Sequence, residues 1–239
     1  PKTIDTFPPN LALWICQSRS SFYDPATRDT YRKRRRNWLE KLPSKKLFMF
    51  EYYTSRPGGA WEGMPKYFPH RIAEDLRSLK GVSSGEQVSV YQPHDRGKMP
   101  YDYLAIKHVN MYVTTRLWWD VNRDVDALLD EYYEKFYGPA SDEMKAYITY
   151  CEQNWHKMRK EAEPIDKALE LVAVAQEAVG DTVYGQRVDM AAEYVQPMKR
   201  LREQLNKERE DVPVARALRR SPKNITIDGK LDDEFWENV

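Results

Sequence analysis

The feature that most constrains this chain is the alternation of apolar runs and amphipathic segments in its first 100 residues. Apolar runs occupy 11–16 and 46–54, and a weaker one occupies 81–90. Continuous apolar runs are typical of strands that are buried on both faces of a parallel sheet. Between these runs, 24–42 and 68–81 carry helix start and stop signals. The order strand, helix, strand, helix, strand predicts a parallel sheet with right-handed crossovers.

The second half of the sequence differs from the first in composition and in the spacing of its apolar residues. Residues 101–210 contain few Pro and Gly residues, and their apolar side chains recur at helical spacing. We expect helix after helix there, with the last two over 165–179 and 184–208. The segment 211–223 has the composition of a linker, and 224–239 predicts a strand followed by a tight turn. Because a strand and a turn cannot bury a core alone, this tail predicts the start of a further β-domain.

Charge and composition argue against several classes of function. The 38 Lys and Arg residues nearly balance the 37 Asp and Glu residues, so the net charge of +1 gives no electrostatic case for nucleic acid or an anionic membrane as partner. No apolar run is long enough to span a bilayer. The two cysteines lie far apart and the four histidines are isolated, so neither a metal site nor a cofactor is expected.

Aromatic residues are abundant, with 16 Tyr, 7 Trp and 7 Phe. Such a composition favours a protein that stacks aromatic rings on a flat ligand such as a sugar. The same residues could instead fill a large α/β core, and both interpretations stay open for each of them.

Polar residues follow the predicted strands at the point where each strand ends. Gln17 follows the first strand, Glu51 follows the second, and Glu86 and Gln87 are expected at the end of the third. In parallel α/β folds the loops after the carboxyl ends of the strands converge on one face and carry the chemistry. Ordinary loop polarity is the alternative.

If the flat ligand is a sugar whose glycosidic bond is cleaved, as the resemblance described below implies, the leaving oxygen needs a proton donor, and two carboxyl groups are candidates. Glu86 is the first, because an aromatic cleft raises the pKa of a glutamate, and Glu51 is the second. The alternative for Glu86 is a loop carboxylate that caps a helix or pairs with Arg96, and the alternative for Glu51 is an internal salt bridge. The predicted substrate-binding residues are polar or aromatic side chains near the strand ends: Trp14, Gln17, Tyr23, Tyr52, Tyr53, Trp61, Gln87 and Tyr91.

The stretch 110–148 resembles a bacterial domain family of unknown function that overlaps glycoside hydrolase family 163, which includes endo-β-N-acetylglucosaminidases acting on N-glycans. The matching residues are Leu117-Trp118-Trp119-Asp120, Asp124-Val125-Asp126 and Phe136-Tyr137-Gly138-Pro139-Ala140. The similarity covers roughly residues 10–165. The tail 224–239 is similar to the opening of family 9 carbohydrate-binding modules.

The resemblance implies an α/β fold in which 1–100 are the last βα units of a TIM-like (β/α)8 barrel and 101–210 an all-α helical region. Residues 211–223 would then be a linker and 224–239 the first strand of a truncated carbohydrate-binding module. The implied function is a glycoside hydrolase acting on GlcNAc-containing glycans by carboxylate acid/base catalysis. The alternative is a non-catalytic glycan-binding or scaffolding module. We expect a piece of a modular bacterial protein that is secreted, periplasmic or at the cell surface, with other modules of the same polypeptide as partners.

Overall fold

Three short strands form a parallel sheet in the first part of the chain. The computed structural model describes residues 5–53, 63–89 and 102–210. The strands lie side by side in chain order: β1 (Leu13–Gln17), β2 (Leu47–Tyr52) and β3 (Gly85–Ser89). In the register of the sheet Gln17 lies opposite Glu51, and Met49 lies opposite Glu86.

Two helices connect the strands. A short 3₁₀ helix (Arg19–Tyr23) and helix α1 (Pro25–Glu40) follow β1, and helix α2 (Pro69–Leu79) follows β2. The Asp24 side chain caps α1 by accepting a hydrogen bond of 2.9 Å from the backbone N–H of Thr27. The predicted order of three strands and two helices is therefore confirmed.

Successive residues of β1 and β2 point alternately to a covered face and to a more exposed face of the sheet. Ile15 and Met49 are buried in a cluster with side chains of the two connecting helices, whereas Trp14 is 55% exposed on the other side. The expectation that the apolar runs are buried on both faces is therefore wrong for β1. Its residues obey the period of two that a strand with one covered face shows.

Six further helices follow the sheet. They are α3 (Asp102–Trp119), α4 (Val125–Tyr137), α5 (Ser141–Asn154), α6 (Glu163–Val179), α7 (Val183–Tyr194) and α8 (Pro197–Glu210). The single helix predicted over 184–208 is divided in two at Val195 and Gln196. Pro197 explains the break, because proline has no N–H to continue the helix but fits the first turn of the next one.

Most of the hydrophobic core lies among helices rather than under the sheet. The larger cluster of buried side chains draws on α2 through α8, and its fully buried Tyr67 and Tyr147 rings pack edge to face at 6.0 Å. The smaller cluster joins β1 and β2 to α1 and α2. Packing among the helices therefore supplies most of the buried apolar surface.

The predicted fold class is wrong. The described residues are mainly helical and contain a single three-stranded parallel sheet, whereas a TIM barrel closes eight strands into a ring. The βαβ pattern is local and is shared by open sheets and barrels, so it fixes the hand and direction of the strands but not their number.

The chain divides into two compact units, Pro1–Asn206 and Lys207–Val239. In the second unit the structure describes only the end of α8, so the predicted linker and β-module lie outside the described residues. None of the described helices has the length and apolar composition needed to cross a membrane.

Candidate functional site

A group of buried polar and charged side chains lies at the sheet, under α1 and α2. We call it the Arg19 cluster, and its members are Gln17, Arg19, Arg35, Glu51, Asp75 and Glu86. Two guanidinium groups thus meet three carboxyl groups in a region closed to solvent. Buried charges are tolerated only when they are paired and hydrogen-bonded, so the contacts within the cluster decide its stability.

Arg19 connects the three carboxyl groups. Its Nε lies 2.7 Å from Asp75 Oδ2 and 3.5 Å from Glu51 Oε2, and its Nη2 contacts Glu86 Oε1. Its backbone N–H also donates to Glu51 Oε1 at 2.9 Å. Burial acts to lower the pKa of Arg19, but Tyr53 and the three carboxyl groups together raise it by more. The net shift of the pKa is upward, so Arg19 stays positively charged.

Arg35 and Gln17 complete the network around Asp75. Arg35 Nη1 and Nη2 donate to the two oxygens of Asp75 at 2.6 and 3.0 Å, and Arg35 Nε donates to Gln17 Oε1 at 3.0 Å. Gln17 Nε2 donates to Glu51 and to Asp75, each at 3.1 Å. Burial acts to raise the pKa of Asp75, but the two arginines outweigh it and the net shift is downward.

The pKa of Glu51 shifts in the opposite direction to that of Asp75. Burial raises the pKa of Glu51 to about 7, against the opposing effects of Arg19 and Gln17. A pKa in this range suits a general acid, but a general acid must also reach its substrate, and Glu51 is fully enclosed.

The structure brings the predicted catalytic residues Glu51 and Glu86 to the same face of the sheet and holds both against Arg19. The prediction that Glu86 lies at the end of its strand is wrong, because Glu86 is the second residue of β3 and lies opposite Met49. Glu86 also accepts a hydrogen bond of 2.8 Å from Trp118 Nε1 and lines a small cleft of about 180 Å³ with it. The Glu86 side chain is only 5% exposed. The salt-bridge alternative thus describes the contacts that both carboxylates make.

The other predicted substrate-binding residues that the structure describes do not all come together at one site. Trp14 stacks on Phe48 at 4.6 Å on the exposed face, which also carries Tyr52 and Gln87. The Tyr53 hydroxyl is buried and lies 2.8 Å from Thr114 Oγ1. Trp61 and Tyr91 lie outside the described residues.

Tyr23 lines an open pocket of about 520 Å³, which we call the Tyr23 pocket. Its walls come from the 3₁₀ helix after β1, the first turn of α2 and the end of α5, with Ser20, Tyr23, His70, Arg71, Glu152 and Trp155 among them. Two of these elements follow the carboxyl ends of β1 and β2. This is the side on which ligands bind in open parallel sheets.

Aromatic and charged groups face each other in the Tyr23 pocket. Tyr23 is 43% exposed, stacks on His156 at 4.4 Å and meets the Trp155 ring at a near right angle at 5.5 Å. Opposite charges also meet there, because His70 Nδ1 lies 2.7 Å from Glu152 Oε2. The hydrogen bond to Glu152 raises the pKa of His70 to about 9, so this imidazole is a cation at neutral pH.

Several of these residues were missed in the sequence. The signal for His70 is its place in Phe-Pro-His-Arg, where Pro69 starts a helix after a strand. Glu152 contacts His70 across a sequence separation of 82 residues, and Trp155 lines the same pocket. No local pattern can reveal such a contact. Within the described part of the chain, no three His, Cys, Asp or Glu side chains come together as a metal site.

The fold and the site together define a mainly helical domain with a small parallel sheet, in which the 3₁₀ helix, α2 and α5 line an open pocket. A sequence family described as a domain of unknown function (DUF4838) matches residues 1–149, which is more than half of the chain. The chain belongs to this family. No curated protein and no solved structure was found to match it.

The charged pair in the pocket predicts a pH dependence of stability. His70 has an ordinary pKa of about 6.5 when the chain is unfolded and a pKa of about 9 when it is folded. Its contribution to the free energy of unfolding is therefore fully present below pH 6.5 and is lost as the pH rises through 9. We expect a small loss, because His70 is exposed to solvent over nearly half of its surface.

Urea denaturation at pH 6 and pH 9.5 measures this loss. His70→Gln should remove it, whereas the control His156→Gln should retain it, since burial lowers the pKa of His156. The interpretation fails if the wild-type protein and His70→Gln lose the same free energy between the two pH values.

Proposed function

We propose that the chain is the glycan-binding part of a glycoside hydrolase that acts on GlcNAc-containing glycans, and that the Tyr23 pocket holds a saccharide ring. The observation that carries this proposal is the combination of exposed and buried aromatic rings with charged hydrogen-bonding groups in one pocket. A pyranose has one apolar C–H face and a rim of hydroxyl groups, so it needs both kinds of partner.

The position of Tyr23 supports the proposal. His156 packs on one face of its ring and the edge of Trp155 fixes its tilt, so the exposed part of the ring has a defined direction. A rigid aromatic surface binds with little loss of conformational entropy. Glu152 and Arg71 border the same space and are suited to accept from and donate to sugar hydroxyls.

The location and the partners that we propose come from the resemblance of 110–148 to the family that overlaps glycoside hydrolase family 163. On this basis the chain belongs to a bacterial protein that is secreted, periplasmic or at the cell surface and that carries further modules in the same polypeptide. The tail 224–239 would open a family 9-like carbohydrate-binding module. Family membership alone does not supply an activity, because the family is described only as a domain of unknown function.

The binding prediction is tested by titrating the chain with a GlcNAc oligosaccharide in a calorimeter. Tyr23→Ala should weaken binding by about tenfold, because loss of an aromatic contact costs about 1 kcal/mol or more. Trp119→Ala is the matched control, since Trp119 is a highly exposed aromatic outside the pocket and its loss should leave the affinity unchanged. Equal affinities for the wild-type protein and Tyr23→Ala would refute the role of the pocket.

Hydrolysis is the second candidate function, and the position of Glu86 favours it, because Glu86 lines a cleft of about 180 Å³ whereas Glu51 is fully enclosed. Glu86→Gln distinguishes a hydrolase from a non-catalytic glycan-binding module. In a hydrolase that uses Glu86 as the acid, this variant should lose cleavage of a GlcNAc-containing glycan and keep binding. In a binding module neither the wild-type protein nor the variant should release product.

A further inference from the structure

Three arginines surround one glutamate beside the Tyr23 pocket. We call this group the Arg71 patch, and its members are Arg28, Arg32, Arg71 and Glu74. Arg28 Nη1 lies 3.1 Å and Arg32 Nη2 3.0 Å from Glu74 Oε1, and Arg71 Nη1 lies 2.8 Å from Glu74 Oε2. The patch joins α1 to the first turns of α2.

The Arg71 patch carries an excess of positive charge. Partial burial acts to raise the pKa of Glu74, but the three arginines outweigh it, so the net shift is downward and the carboxyl stays ionised. One carboxylate then balances one of three guanidinium groups. The Nε atoms of Arg28 and Arg32 are also buried, and neither has a hydrogen-bond partner among the described residues.

Arg71 links this excess charge to the pocket. It is the arginine of the patch that lines the Tyr23 pocket, and 42% of its side chain is exposed. The carboxylate on the pocket wall does not neutralise it, because Glu152 accepts hydrogen bonds from the ring and from the backbone N–H of His70. Glu74 contacts Nη1 of Arg71, and this partly exposed side chain gives the pocket a cationic edge next to its aromatic wall.

We propose that the saccharide bound in the Tyr23 pocket is acidic, and that its carboxylate or sulfate group binds to Arg71. This inference rests on the proposed function. A planar guanidinium can donate two parallel hydrogen bonds to such a group, and the positive charge of Arg28 and Arg32 strengthens the attraction. A neutral saccharide can accept hydrogen bonds from Arg71 but does not pair with its charge.

The experiment compares three disaccharides that contain GlcNAc: one with a uronic acid, one with a sulfate and one without charge. The wild-type protein should bind at least one of the acidic sugars about tenfold more tightly than the neutral sugar, a ratio that corresponds to about 1.4 kcal/mol. The two acidic sugars show whether the pocket prefers a carboxylate or a sulfate. Added salt should reduce the preference.

Arg71→Gln provides the direct test. It should reduce the preference for the acidic sugar to less than about twofold, because the charge that distinguishes the two sugars is removed. Arg123→Gln is the matched control, because Arg123 has a similar exposure of 40% and lies outside the pocket. This control should retain the wild-type preference.

The outcomes separate the two proposals. If neutral and acidic sugars bind equally and Tyr23→Ala weakens both, the pocket binds saccharides and only the inference about charge is wrong. The same conclusion follows if Arg71→Gln and the wild-type protein show the same preference. If no sugar binds, the proposed function itself is wrong.

Discussion

Replacing Arg19 with Met is expected to destabilise the folded protein by about 3–5 kcal/mol, which is the usual cost of breaking a buried ion pair. Methionine keeps the length and apolar stem of the side chain but removes the charge that Glu51, Asp75 and Glu86 share. Arg35 alone cannot replace it, since its hydrogen bonds are with Asp75 and Gln17. Urea denaturation of the chain at pH 7 measures the change in the free energy of unfolding.

The pH dependence makes this prediction specific. Without Arg19 the carboxyl groups of the cluster take up protons more readily, so the loss in Arg19→Met should be smaller at pH 5 than at pH 8. Combining it with Glu51→Gln should recover part of the stability, because one buried charge is removed. Arg123→Met is the control on the surface. A loss below about 1 kcal/mol at both pH values would show that the cluster is not a stabilising network.

Replacing Gly138 with Ala is expected to destabilise the protein by about 2–4 kcal/mol. Gly138 ends α4 with a φ of 53°, a backbone conformation that residues with a Cβ rarely adopt. An added Cβ would lie 2.7 Å from ring carbons of Tyr184, which would have to move together with the Arg187 side chain above it. Both backbone strain and overpacking therefore oppose the substitution.

Gly180 supplies a matched control for this prediction. It has nearly the same φ of 54°, but nothing lies within 4 Å of an added Cβ. Gly180→Ala should therefore show the cost of the backbone conformation alone, and the difference between the two variants should give the cost of the contact with Tyr184. Thermal and urea denaturation measure both. The explanation is wrong if Gly180→Ala is as destabilising as Gly138→Ala.

Gly138 also explains part of the resemblance found in the sequence. The run Phe-Tyr-Gly-Pro-Ala is a structural signature, because Tyr137 is buried, Gly138 reverses the chain and Pro139 starts the next turn. Such a motif identifies a fold without identifying a reaction. This agrees with a family match that carries no function.

The sequence predicted local features well and long-range features poorly. The strand and helix order follows from the spacing of apolar residues, which acts over a few positions. The barrel was wrong because closure of a sheet depends on how many strands pair, and no local pattern states that number. Trp14 shows a second limit, since an apolar residue in a continuous apolar run can still lie on an exposed face.

The candidate site shows the same division. Gln17, Glu51 and Glu86 were predicted to lie together because each was expected at the end of a parallel strand. They do lie on one face, although Glu86 is near the beginning of β3. Their partners Arg35 and Asp75 come from α1 and α2, and the rotation of these helices is set by packing rather than by sequence spacing. The Tyr23 pocket needs α5 as well, so only Tyr23 itself was found.

The most direct measurement of the central claim is a crystal structure of the chain grown with an acidic GlcNAc-containing disaccharide. We predict a sugar ring beside Tyr23 and Trp155, with its acidic group within hydrogen-bonding distance of Arg71. A sugar bound elsewhere on the molecule, with the Tyr23 pocket filled by solvent at saturating ligand, would contradict the account.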